Sequence, residues 1–141
     1  MTRVLLDTNV VLDFLLDRAP FADAAAELWQ ANDDGRIEAY VSVITPVNVF
    51  YIARKLKGTP TARQLVESLL STCQVCGPNR DMMLSALSLP LKDFEDAVQV
   101  VSAQSESLDA LVTRDPDDYK NISFPVLSPA ACLKQVSSAA N

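Results

Sequence analysis

Short apolar runs rich in β-branched residues alternate along this chain with longer stretches whose apolar residues recur every three or four positions. That alternation constrains the fold more than any other feature. RVLL (3–6) reads as a short buried strand, and helical spacing follows over 10–16 and again, after Pro20, in FADAAAELWQAN. IEAYVSVI (37–44) reads as a second strand. Thr45 then reads as an N-cap with Pro46 at the first helical position, and Gly58 closes that helix. A helix over 60–71, a third strand in CQVCG and a helix from Asn79 through Leu89, ended by Pro90, come next. KDFEDAVQVVSAQSES has apolar residues at 94, 97, 98 and 101, which is helical spacing. DALVT (109–113) is a fourth strand, FPVLS a short fifth, and Ser128-Pro129 starts a last helix. Strands alternating with helices predict an α/β fold, a three-layer α/β/α sandwich around a mostly parallel sheet of about five strands. In such sheets ligands bind beyond the carboxyl ends of the strands, where strand order reverses.

No linker or composition break divides the 141 residues, so a single domain over 1–141 is expected, large enough to bury a core. The 49% hydrophobic content and only 3 glycines suit a globular chain, not a disordered one. No apolar run approaches the roughly 20 residues that span a bilayer. Asp7 and Asp13 interrupt the apolar N-terminus and no small-residue cleavage site follows, which argues against a signal peptide and for a soluble cytoplasmic protein. The chain has no histidine, which removes the usual general base and the commonest metal ligand. A net charge of −6 excludes nucleic-acid binding by bulk attraction; a metal ion or a local basic patch would have to mediate it. Cys73 and Cys76 have C-x-x-C spacing, but no second pair and no histidine completes a zinc site. With Cys132 they read as buried small hydrophobes.

The placement of the acids carries the chemistry. RVLLDTNVVLDF (3–14) puts Asp7 at the carboxyl end of the first strand, and LVTRDPDDY puts Asp115 just past the fourth. Asp93 and Asp96, three apart, share one face of the intervening helix. These acids map to the same rim of the sheet, with no Lys or Arg next to Asp7 in sequence to offset their repulsion. A divalent cation resolves the conflict. Oxygen-only ligands favour a hard ion, Mg²⁺ or Mn²⁺.

LLDTNVVLD, DFEDAVQVVSA and LVTRDPDDY resemble, in order and nearly end to end, the PIN domain family, which includes the VapC-like toxins of bacterial toxin–antitoxin pairs. The resemblance implies a sheet of order 3-2-1-4-5 and a metal-dependent endoribonuclease acting on RNA. It further implies a cognate antitoxin as partner and a homodimer. Carried over by position, Asp7, Asp96 and Asp115 are the catalytic, metal-site acids and Asp93 is an auxiliary ligand. One departure stands out. Many PIN domains carry a Glu early in the helix after the second strand, where SVITPVNVFYIARK has Asn48, a weaker metal ligand than a carboxylate.

Other readings of the same residues stand beside these. Asp93 and Asp96 also fit the N-cap and third position of a helix. Asp115, Asp117 and Asp118 lie in a Pro-containing turn where Asp is ordinary; Asp117 is assigned to solvent and Asp118 stays open. Asp13, about a turn and a half past Asp7, reads as a surface or interface charge. Thr8, Asn9 and Thr113 either orient Asp7, contact a phosphate, or serve the turns in which they sit. Arg114 is the better phosphate-binding candidate, whereas Arg54, Lys55, Lys57 and Arg63 read as a solvated helix end. Trp29, Phe50 and Tyr51 read as core or dimer contacts. Two further functional readings compete. A haloacid-dehalogenase-like phosphotransferase also begins with a strand ending in Asp, but needs a second Asp where Asn9 stands; a phosphoreceiver domain fits less well. A PIN-like module that binds nucleic acid or protein without cleaving is the rival that Asn48 motivates.

Overall fold

Five strands pair in parallel throughout: β1 (Thr2–Leu6), β2 (Ile37–Ser42), β3 (Gln74–Cys76), β4 (Ala110–Val112) and β5 (Val126–Leu127), in the order β3-β2-β1-β4-β5. The computed structural model describes residues 1–139, so positions 140–141 of the unit expected from the sequence lie outside the described residues. Between the strands run α1 (Thr8–Leu15), α2 (Ala22–Asp33), α3 (Ile44–Lys57), α4 (Thr59–Thr72), α5 (Arg80–Ala86) and α6 (Phe94–Ser105). A 3-10 turn (Pro116–Tyr119) follows β4, and α7 (Pro129–Ala139) follows β5.

Side chains alternate across a strand, and the core divides accordingly. Val4, Leu6, Ile37, Ala39, Val41, Ala110 and Val112 face one side, where α1, α2, α3, α4 and α7 cover them. Leu5, Tyr40 and Leu111 face the other, against Val100 and Ala103 of α6. The three-layer sandwich and the 3-2-1-4-5 order follow as expected. Trp29 is core, stacked on Phe14 with ring centroids 4.3 Å apart, whereas Tyr51 is exposed. All three cysteines are free and buried. Among the described residues no helix is long and apolar enough to cross a membrane.

Local signals set most element ends. Gly58 stops α3 at φ 90°, a left-handed conformation that favours glycine, with its N–H donating to the Arg54 carbonyl. Asn79 caps α5 by accepting from the Met82 N–H. That helix ends at Ala86, short of the expected Leu89, because Ser88 and Leu89 donate to carbonyls three residues back and tighten the chain into turns. Thr45 is not the cap of α3. The helix begins at Ile44, and the Val43 N–H donates instead to the carbonyls of Cys76 and Gly77.

β1 pairs with β2 on one side and β4 on the other, so strand order reverses beside it. Asp7 emerges at that point. It is still in the ladder, donating its N–H to the Val112 carbonyl at 2.9 Å, while its own carbonyl accepts from Val10 and Val11 in the first turn of α1.

Candidate active site

Strand β1 ends and α1 begins at Asp7, so its carboxylate is fixed by both elements. Oδ1 accepts the Thr8 N–H at 2.7 Å, an N-cap bond. Oδ2 accepts the Thr113 hydroxyl at 2.8 Å and the Tyr119 hydroxyl at 3.2 Å, both from the segment that follows β4. Among the described residues no cation is its partner. Burial raises its pKa above the ordinary value, the three hydrogen bonds oppose that, and the charge of Asp93 adds to it.

The start of α6 brings three more carboxylates to the same place. Asp93 caps the helix, accepting the Asp96 N–H at 3.0 Å, so the cap expected of this pair is present. Asp96 Oδ1 accepts the same Tyr119 hydroxyl at 3.1 Å, which puts one phenol between two carboxylates. Partial burial and then the charges of Asp93 and Asp7 push the Asp96 pKa up to about 7, and Asp118 contributes in the same direction. Glu95 reaches across to α3 and accepts the Asn48 side-chain N–H at 2.8 Å; burial, Asp93 and Asp7 raise its pKa too. Asp7, Thr8, Asn9, Asn48, Asp93, Glu95 and Asp96 line a cleft of about 330 Å³, floored by Leu12 and Ile52, with no Lys or Arg in its wall. A second cleft of about 500 Å³ shares Asp93 and Asp96 and is bordered by Asp117, Asp118, Lys92 and Lys120.

Beneath the acids lies a buried polar knot. The Thr8 and Thr45 hydroxyls are 3.0 Å apart, and the Gln99 amide donates to both at 3.3 Å. It ties the starts of α1 and α3 to α6, all at full burial or close to it. Thr45, misread as a cap, acts here.

The expected residues divide. Asp7, Asp93 and Asp96 converge, with Thr8 and Thr113 holding Asp7 and Asn48 on the facing wall. Asp115 is exposed just past β4, its backbone N–H donating to the Thr113 hydroxyl at 3.3 Å. Asp13 is corrected outright. It is 1% exposed, pairs with Arg18 at 2.9 Å and lies 3.3 Å from Arg114. The charge expected at a surface or interface is a buried hub within the chain, with its second cation coming from far along the sequence. Arg114, proposed as a phosphate contact, has Nε 3.3 Å from that carboxylate without a hydrogen bond to it, and its guanidinium lies over the Phe21 ring, 4.1 Å away. Tyr119, Glu95 and Gln99 were missed. Gln99 lies three residues past Asp96 on one helix face, the spacing that had flagged Asp93 with Asp96.

The sequence model of the PIN domain matches residues 3–117. The chain belongs to the PIN domain family. Solved structures with the same fold include VapBC2 from Rickettsia felis bound to a promoter DNA fragment, at 16% identity and TM-score 0.68, covering 89% of this chain and 97% of that one. A toxin–antitoxin complex from Klebsiella pneumoniae matches at 25% identity and TM-score 0.67, with the same coverage. VapC20 from Mycobacterium tuberculosis, a sarcin–ricin loop cleaving toxin, matches at 13% identity and TM-score 0.68 over 86% of this chain and 95% of that one. No curated protein is similar in sequence at a significant level.

The donor set of this PIN domain suits the hard divalent ion that the resemblance implies. Carboxylate oxygens of Asp7 and Asp96 converge on one hydroxyl, and the surrounding cleft offers oxygen and amide groups but no cation. Among the described residues no three acidic or thiol side chains close into a metal-holding group as they stand. Mg²⁺ does not require one, since it is commonly held by one or two carboxylates and keeps several waters or substrate oxygens.

Proposed function

We propose that this PIN domain is a Mg²⁺- or Mn²⁺-dependent endoribonuclease that hydrolyses RNA phosphodiesters, and that it acts in the cytoplasm as the toxin of a toxin–antitoxin pair. The observation that carries the reading is the convergence of Asp7 and Asp96 on the Tyr119 hydroxyl at the strand-order reversal. Asp7, Asp96 and Asp115 would hold the ion, with Asp93 auxiliary. When bound, the ion supplies charge stabilisation at the scissile phosphate and lowers the pKa of a water.

The chain's own residues do the positioning. Thr8 and Thr113 fix the two oxygens of Asp7, and Tyr119 holds Asp96 in register with it. Lys92 and Lys120, exposed on the adjoining cleft, offer charge to the phosphodiester backbone beside Arg114. The Klebsiella complex and VapC20 support a toxin reading by their stated roles. A cognate antitoxin and a homodimer belong to the same proposal. Val47 and Tyr51, one turn apart on α3, are exposed apolar side chains that a protein partner would cover.

The test is RNA cleavage with Mg²⁺ or Mn²⁺, with EDTA, and with Asp7→Asn. Metal-dependent cleavage lost in the variant is expected. Metal binding and RNA binding without any cleavage would favour the second reading, a non-cleaving PIN module, which the amide at position 48 motivates. Sedimentation should show a dimer, and a monomer at all concentrations with no partner recovered from the host would sink the toxin assignment.

A further inference from the structure

Position 48 lies on α3 one helical turn past Thr45, whose hydroxyl is pinned by Thr8 and Gln99. Its side chain is therefore delivered to the cleft wall facing α6. Opposite stands Glu95, whose carboxylate crosses to Asn48 at 2.8 Å. The pair is matched in kind: a carboxylate only accepts, and an amide nitrogen donates. A Glu or Asp at position 48 would set two acceptors face to face with no donor between them.

Glu95 also lacks the partner that a solvated glutamate commonly finds. Among the described residues no Lys or Arg comes within ion-pair distance of it. In the first turn of α6 it would be comfortable as a helix-start anion pointing to water. It stays exposed there, and it also lines the cleft with Asp7, Asp93 and Asp96.

We propose that Glu95 supplies, from the α6 wall, the carboxylate that Asn48 does not supply from the α3 wall, and that Asn48 is the positioning residue that holds it toward the divalent ion. The amide at 48 and the acid at 95 are then one exchange across the cleft, and the count of acids around the ion is kept. This rests on the metal-site reading of the same cleft.

The experiment titrates Mn²⁺ and Mg²⁺ alone into the full chain by calorimetry, with folding checked by circular dichroism. The proteins are wild type, Glu95→Gln, Asn48→Asp and the double variant Asn48→Asp/Glu95→Gln. The double variant is isosteric with wild type and reverses the bond, the glutamine amide donating to the aspartate. Glu95→Gln is expected to weaken metal binding roughly 10–100-fold. The double variant is expected to recover most of that loss, and it also stands as the test should either single variant fold poorly. A Glu95→Gln protein that binds metal as wild type does overturns the proposal, even if it melts lower, because a helix-start anion alone predicts that pattern. A double variant as weak as Glu95→Gln also overturns it. Absence of any metal binding by wild type removes the metal-site reading, and the role of Glu95 with it.

Discussion

Asp96 keeps its proton into a pH range where an ordinary aspartate has lost it. Its folded-state value of about 7 exceeds the roughly 3.9 of an aspartate in the unfolded chain. Between those values the folded protein binds more protons than the unfolded one, so stability falls as pH rises through about 4–7. Asp7, also raised, acts with the same sign. Metal-free protein should therefore have a higher urea midpoint at pH 5 than at pH 8; the opposite slope would mean that the clustered acids are not repelling. Asp96→Asn keeps the shape and removes the charge. Because the carboxylate is only partly buried, solvent screening trims the gain, and the variant should be more stable than wild type by about 1 kcal/mol at neutral pH without metal. Cleavage should be abolished. A helix-start anion with no other role predicts instead a loss of about 0.3–1 kcal/mol with activity retained. Tyr119→Phe takes away the one hydroxyl shared by Asp7 and Asp96, while Thr113 still serves Asp7. A loss of about 1–2 kcal/mol is expected in metal-free melts, and an unchanged midpoint would mean that the hydroxyl contributes nothing there.

Between elements, the Asp13 hub joins the end of α1 to the segment leaving β4. Asp13→Ala strands two guanidiniums, but Arg18 and Arg114 each keep part of their side chain in water, which reduces the cost from that of a fully buried pair to about 2 kcal/mol. Thermal melts would show it, and a neutral outcome would mean that the buried hub adds nothing to stability. What the sequence disclosed and what it hid divide along the same line. Strand β1, the Gly58 stop and the Asn79 cap were legible because each depends on a few consecutive residues. Asp7, Asp93 and Asp96 were legible because strand end and helix spacing alone place them on one rim. Asp13 was not, since its neutralising Arg114 lies beyond the span of any periodicity. Tyr119 escaped because a tyrosine after a Pro-containing turn reads as ordinary, and nothing local says that its hydroxyl meets two carboxylates. The Asn48–Glu95 bond was hidden for the same reason: position 48 stood out, Glu95 did not, and the pairing belongs to the approach of α3 to α6.

For the molecule as a whole, a ligand that binds only the folded state raises its melting temperature by mass action. Mn²⁺ or Mg²⁺ should do so, and EDTA should reverse it. The proton on Asp96 competes with the ion, so the shift should be larger at pH 8 than at pH 5.5. Equal shifts at both pH values would place the ion elsewhere. The order in which the chain is made adds a constraint of a different kind. Asp7 leaves the ribosome well before the hydroxyls that shape it, Thr113 and Tyr119, which follow 106 and 112 residues later. At roughly 5–20 residues per second, several seconds separate the first acid from its last partner. Strand β1 cannot gain its β4 neighbour before then either. A nascent chain released anywhere in that interval carries Asp7 without the groups that hold it, and should cut nothing. Competence thus waits for residues 110–119, so a chain with the ribonuclease activity proposed above would stay harmless until the sheet closes around its central strand.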